Sequence, residues 1–510
     1  MKQNLFNSIK MQRPKKNVFD LSHDVKMSLD MGKLVPTLML ECVPGDSFNI
    51  SCESLLRLAP MVAPMMHRVD VTMHYFFVPN RILWDNWQDF ITGGTEGVSE
   101  PEFPYFNSAS VFGYIDGLDA DKQIEVNKFI DYIGVPQVFG TGSSFNFSAL
   151  PFAAYQCVYN EYYRDQNLID QVDYKVIDGS NDDHHNNFLT QRYRAWEHDY
   201  FTASLPWAQR GPAVDVPLGT ISIPYNKIEG TGGYDIPNTS GGNYNIDEAP
   251  SPLTNGLYAP GVDAEVEPTT INTLRRAFKL QEWLEKNARG GARYIENILA
   301  HFGVKSSDAR LQRPEYITGV KTPVIVSEVL NTTGLDGELP QGNMSGHGIS
   351  VTSGNYGKYY CEEHGYIVGV MSVLPKGAYQ QGLHKSFFKF DKLDYFWPSF
   401  AHIGEQEVKN KEIYIDENSS KEGTFGYVPR YAEYKYLPSR VCADFRTTLD
   451  SWHMGRIFEE QPTLSQEFVE CKPTKRIFAV TEEGIDSLYA HVYHKIKAVR
   501  PMPKFGTPMF

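Results

Sequence analysis

The chain has 510 residues with 41 Gly, 31 Pro and 13% aromatic side chains, long enough for an extensive core and rich in turn formers. No run of about 18 apolar residues and no basic leader before an apolar stretch occurs, which argues against membrane spanning and secretion and points to a cytoplasmic origin. The net charge of -14 conceals two basic ends. Residues 1–16 carry Lys2, Lys10, Arg13, Lys15 and Lys16, and residues 487–510 carry Lys495, Lys497, Arg500 and Lys504, with no acid in either stretch. Removing these nine from the 48 basic residues leaves 39 against 62 acidic ones, a body of -23. An acidic body with basic ends separates a surface that repels polyanions from candidates that contact them, although solvated tails have the same composition.

Residues 1–33 read as a basic, polar arm. From Leu34 to Ile50 a strand is expected, broken by the turn Pro44-Gly45-Asp46. Val69, Val71, Met73 and Tyr75 alternate with Arg68, Asp70, Thr72 and His74, the period-two pattern of a half-buried antiparallel strand. Pro79 ends it, and Trp84 and Trp87 follow at one-turn spacing, so both indoles are expected against one packed surface. Residues 93–147 predict long loops with one short helix over 119–133. Phe152, Tyr155 or Gln156, Tyr159 and Tyr163 predict an amphipathic helix over 151–168 with an aromatic core stripe.

Residues 219–269 hold eight Gly, six Pro, seven acids and the single base Lys227. This is an insertion within a domain, because regular patterns resume on both sides. Its Tyr225, Tyr234, Tyr244 and Tyr258 fit either a recognition surface or packing within the loop. Asn272 is expected to cap a helix carrying Leu274, Ala277, Phe278, Gln281 and Leu284, stopped by Gly290-Gly291, and a second short helix follows over 295–302. Strands are then expected over 324–329, 366–374 and 488–499, the last closing the barrel. The pattern is mainly β in one domain, residues 34–510, with no internal repeat.

The chemistry of catalysis is missing. No GxSxG, HExxH, P-loop or GxGxxG pattern occurs. Cys42, Cys52, Cys157, Cys361, Cys442 and Cys471 lack zinc-ligand spacing and are expected to be buried, reduced thiols. The His184-His185 pair beside Asp182 and Asp183 reads as a surface loop, and Glu362-Glu363-His364 as a packed strand end. No catalytic residue, metal or cofactor is expected. Phe396-Trp397-Pro398 and the Trp84/Trp87 segment are candidates for packing or contact between copies.

Several blocks carry a resemblance. They are LAPMVAPMMHRVDVTMHYFFVPNRILWDNW at 58–87, NEYYRDQNL at 160–168, HDYFTASLPWAQRG at 198–211 with VDVPLG at 214–219, ARGGARYIENILAHFGV at 288–304, RPEYITG at 313–319, and the long stretch 362–408 continuing through 425–446 to Trp452-His453. In this order they resemble the major capsid proteins of microviruses, small icosahedral single-stranded DNA bacteriophages, in particular the gokushovirus branch. The resemblance implies an eight-stranded antiparallel viral jelly roll with long interstrand loops. It also implies sixty copies in a T=1 shell around circular single-stranded DNA, with an interior-facing N-terminal arm. Implied partners are a small basic DNA-packaging protein, a pilot or minor spike protein and a host-cell receptor, with assembly in host cytoplasm. The nine terminal cations become DNA-contact candidates, and the insertion lies where the family has its variable threefold protrusion, a candidate for host attachment. The rival class is a jelly-roll carbohydrate-binding protein or glycosidase, which needs paired carboxylates beside stacked aromatics.

Overall fold

Alternation of apolar and polar residues builds most of this structure, a computed structural model that describes residues 15–94, 98–136, 144–212, 221–222, 265–266, 271–290, 299–301, 312–330, 344–354, 356–417, 420–482 and 484–505. The principal strands are β1 (Asn17–Asp20), β2 (His23–Leu29), β3 (Val35–Cys42), β4 (Ser47–Leu58), β5 (Val69–Pro79), β6 (Glu315–Pro323), β7 (Ile325–Leu330), β8 (Met344–Thr352), β9 (Gly357–Tyr360), β10 (Gly365–Pro375), β11 (Glu405–Lys409), β12 (Thr424–Pro429) and β13 (Leu488–Arg500). The helices used below are α1 (Asn80–Leu83), α2 (Trp87–Thr92), α3 (Ser108–Asp116), α4 (Ala120–Ile133), α5 (Leu150–Val158) and α6 (Ile271–Gly290).

Two antiparallel sheets face each other across the main core, the mainly β jelly-roll architecture expected from the sequence. One has seven strands, with β13 between β4 and the pair β1 and β2; β4 pairs on its other side with β8 and β9, and β7 lies beyond β8. The other has four, in the order β6-β5-β10-β3. The two sheets together hold eleven strands among the described residues, against the eight that the resemblance implies, with the short β1 and β9 among the additions. Phe48 and Ile50 of β4, Met73 of β5, Met371 of β10, and Val492 and Ile496 of β13 meet between the sheets. Each such side chain stabilises the fold by roughly 1.5–3 kcal/mol through burial. β13 lies inside its sheet, so it does not close a barrel.

β5 corrects one expectation. It is buried along nearly its whole length, Asp70 and Thr72 included, where a half-buried strand was expected. A second core covers its other face: Phe76 and Val78 of β5 and Val368 and Val370 of β10 pack against Phe129 and Ile130 of α4 and Phe152 and Tyr155 of α5. Period-two alternation does not reveal what covers the polar face. Residues 93–147 accordingly hold two helices, α3 and α4, and the helix expected over 151–168 ends at Val158 and continues as a π-helical turn over Tyr159–Tyr163. A third, smaller core forms around Phe201, Tyr379, Val408, Val428 and Phe468, beside the β11–β12 pair.

Strand pairing reaches into the expected arm, since β1 and β2 both bond to β13. After β2 the chain turns at Gly32 (φ +82), where any Cβ would stand 1.7 Å from the carbonyl oxygen of Cys471, so only glycine fits. Two compact units are present, Met1–Ala208 with Gly290–Phe510, and Gln209–Arg289. In the second, Ile221–Ser222 pairs antiparallel with Glu265–Val266, which brings the two ends of the intervening segment together. α6 begins at Ile271, so Asn272 is in its first turn and not its cap, and Phe278 is 63% exposed instead of lying in the apolar stripe. Residues 295–298 and 302 of the short second helix lie outside the described residues. Among the described residues no helix is long and apolar enough to cross a membrane.

Candidate functional site

Three short 3₁₀ turns, Lys385–Phe388, Lys392–Asp394 and Pro398–Phe400, carry a segment with little apolar burial of its own. Phe387, Phe390, Tyr395, Phe396 and Trp397 are each about half exposed or more, and Tyr434, Tyr436 and Leu437 continue the surface from the turn after β12. Phe396 packs on Tyr431 (ring centroids 5.0 Å apart), which also stands 6.1 Å from Tyr434. At roughly 200 Å² per aromatic side chain, the exposed fractions of the seven aromatic residues named here sum to about 840 Å². One side of a standard protein interface buries about 800 Å².

The surface is held from beneath. Lys389 and Glu433, both almost fully buried, pair at 2.6 Å, and the Gln406 amide of β11 donates to the other Glu433 oxygen at 2.7 Å. Burial raises the Glu433 pKa, but the hydrogen bonds from Lys389 and Gln406 outweigh it and hold the carboxyl below its ordinary range. The Lys389 ammonium also sits 3.9 Å from the Tyr434 ring centroid, a cation–π contact. Tyr431 adopts a left-handed backbone (φ 62) that a bulky residue rarely takes, and its N–H donates to Gln406 Oε1 at 3.0 Å. A rigid aromatic surface loses little conformational entropy when covered, which favours association.

A second surface is the outer face of the seven-stranded sheet. Tyr489, His491, Tyr493, Lys495 and Lys497 of β13 project there, with Lys495 opposite Ser51 and Lys497 opposite Asn49 of β4. Lys26, Arg57 and Lys358 share that face, and the Tyr356 hydroxyl donates to Asn49 at 3.0 Å. Five cations face the acids Asp20, Asp24 and Glu53 in a chain whose net charge is -14. Hydrogen bonds from Ser22, and then the charges of Lys497 and Lys495, hold Asp20 below the usual carboxylate range.

The candidates from the sequence divide accordingly. Phe396 and Trp397 are exposed on the aromatic surface; Phe387, Phe390 and Leu437 were missed, because exposure is not written in local periodicity. Trp84 is 1% exposed, and its indole N–H donates to Asp178 at 2.6 Å; it packs edge-to-face on the half-buried Trp87 at 6.2 Å, so this pair belongs to the core. Lys495 and Lys497 share one face, and Lys504 is exposed near Phe505. Arg500 is instead committed to the fully buried Asp46, at 2.9 Å, and to the Glu41 carbonyl. Lys15 is exposed, and Lys16 donates to the Gly45 carbonyl at 2.6 Å. Lys2, Lys10, Arg13, Tyr225, Tyr234, Tyr244 and Tyr258 lie outside the described residues. Five cysteines are buried and Cys442 is exposed, which corrects the expectation for that residue. His185 is buried 3.5 Å from Asp182, which corrects the surface-loop expectation for that residue, and Glu363 accepts from Arg81 at 2.7 Å. Among the described residues no group of three or more His, Cys, Asp or Glu side chains is arranged to hold a metal ion.

A two-sheet fold with elaborate loops and an interface-sized apolar surface is the anatomy of a shell subunit. The chain belongs to the phage capsid protein family: the family model described as "Capsid protein (F protein)" matches residues 7–510. It is 33% identical to the capsid protein VP1 of Chlamydia phage 1 and to that of Bdellovibrio phage phiMH2K, with 99% of this chain and 97% of each relative covered. It is 27% identical to the capsid protein VP1 of Spiroplasma virus 4 over the same shares. The resemblance to microvirus capsid proteins stands, and the chain is a structural virion component that assembles into an oligomeric shell and not an enzyme.

Proposed function

We propose that sixty copies of this chain close a T=1 shell around circular single-stranded DNA, and that the aromatic surface around Phe396 and Trp397 is one of the contacts that hold copies together. The observation that carries this reading is the gathering of seven aromatic side chains, each about half exposed or more, on residues 387–397 and 434–436, an exposed total of about 840 Å², the size of one side of a standard interface. Replacing Phe396→Ser and Trp397→Ser together should leave the fold intact and sharply lower particle yield. Light scattering and electron micrographs of the purified double variant read the result, and wild-type yield at unchanged thermal stability would refute the assignment.

The cationic face supports contact with the genome. Lys495 and Lys497 neutralise phosphate without regard to sequence, and Tyr493 offers a ring on which an unpaired base stacks. A small basic packaging protein shares the neutralisation, since nine terminal cations cannot balance a genome, and a pilot or minor spike protein completes the particle. For the insertion, the role is host attachment: deleting residues 226–264 should spare assembly and abolish adsorption to the host cell. Adsorption that survives the deletion would rule that role out.

A further inference from the structure

The face of β5 turned away from the main core borders a cleft of about 500 Å³. Its wall is aromatic: Phe76 of β5 lies 4.6 Å from Tyr162 of the π-helical turn and 5.6 Å from Tyr316 of β6, and His74 lies 5.8 Å from Tyr316. π-Helical turns are rare and collect at functional sites. His74 bonds through Nδ1 to the Tyr163 hydroxyl at 2.7 Å; burial, with the nearby Arg194 charge, holds its pKa at about 4, so the ring adds no charge at neutral pH. Tyr316 is 48% exposed. At the charged side, Lys321 and Lys376 pair with both Asp70 and Glu197, Arg68 reaches Asp70 at 3.5 Å, and Arg194 donates to Thr72 and Ser372. Of the residues that line the cleft itself, Arg194 and Lys321 are cations and Glu197 is a carboxylate, which leaves a positive surplus. Such a cleft suits a flat apolar ring joined to an anion.

The chain displays that combination on its own surface. Phe390 is 90% exposed, the highest value for a large hydrophobic side chain among the described residues, and Asp391 follows it. The turn that carries them is fixed: Asp394 accepts from the N–H groups of Phe390 (3.0 Å) and Asp391 (2.9 Å), and the Trp397 indole donates to the Lys392 carbonyl at 2.8 Å. We propose that Phe390 and Asp391 of one copy of this chain enter the aromatic cleft of a second copy, Phe390 against the exposed Tyr316, with Asp391 toward Lys321 and Arg194. The contact is heterologous, because knob and cleft are different surfaces. Repeated from copy to copy it generates a ring about a symmetry axis, where a self-complementary patch would stop at a dimer. This inference rests on the reading of the chain as a self-assembling shell subunit and names the mates within it.

Hydroxyl-radical footprinting of the wild-type protein, before and after assembly, tests it without any substitution. Phe390 and Tyr316 should both be oxidised in dissociated chains and both lose most of that reactivity in particles. A covalent test runs in parallel in a Cys442→Ser background: Phe390→Cys combined with Tyr316→Cys should give a ladder of disulfide-linked oligomers when particles are treated with diamide, and neither single cysteine should. Particles in which either side chain stays reactive, or in which the double cysteine gives no ladder, overturn the contact and leave the assembly reading standing. Wild-type protein that forms no particles in any buffer overturns both.

Discussion

The hydroxyl of Tyr75 lies 2.9 Å from Nδ1 of His494, and Nε2 of the same imidazole lies 2.9 Å from the carbonyl oxygen of Thr37. A carbonyl only accepts, so Nε2 carries the proton, Nδ1 accepts, and the Tyr75 hydroxyl donates. One histidine on β13 thereby bridges to β5 and β3, tying the seven-stranded sheet to the four-stranded one through the middle of an apolar core. Burial, with a smaller contribution from the neighbouring His23, lowers the His494 pKa from its ordinary 6.5 to about 4. His74 is lowered to about 4 by burial and by Arg194.

These two imidazoles set a pH dependence. Between pH 6.5 and 4 the unfolded chain binds protons that the folded one refuses, so stability falls as pH drops through that window and levels off below it. Each shift is worth about 3 kcal/mol at its limit. Denaturant midpoints measured from pH 7 to pH 4 should fall continuously, and a His494→Gln variant should show a shallower fall than the wild type. A flat profile in the wild type would remove the assigned role.

Trp84→Ala should act on the fold and not on a contact between copies. It empties a site with 1% exposure and removes the indole hydrogen bond to Asp178, for a loss of about 3–5 kcal/mol. Thermal unfolding of the dissociated chain should show the drop directly. Lower particle yield at unchanged melting temperature would place Trp84 at a subunit contact.

Arg500 and Lys497, three residues apart and both cationic, are expected to behave differently. Arg500→Ala leaves Asp46 as an uncompensated buried charge and should cost about 3 kcal/mol. Calorimetry of the variant reads this, and a melting temperature equal to that of the wild type would contradict the buried pair.

Lys495→Ala with Lys497→Ala removes exposed charge and should hardly change stability. In titrations with single-stranded oligonucleotide, the slope of log affinity against log salt should fall by about 0.7 for each phosphate that is no longer neutralised. An unchanged slope would show that this face does not meet the genome.

The class of the protein is legible in the chain alone. Alternation along β4 and β13 and the apolar runs of β3 and β10 mark their strands, Pro44-Gly45-Asp46 marks the turn between β3 and β4, and the ordered blocks from residue 58 to residue 453 carry the capsid resemblance. These signals are local or linear, so a single chain displays them in full. Which tryptophan is core and which is surface had to wait for the fold, because Trp84 and Trp397 stand in similar aromatic, proline-flanked contexts. The same holds for Arg500, whose partner Asp46 is 454 residues away, and for β5, whose polar face is covered by helices encoded elsewhere. Burial and ion pairing are set by what folding brings alongside a residue from a distance, and no local pattern around that residue records it.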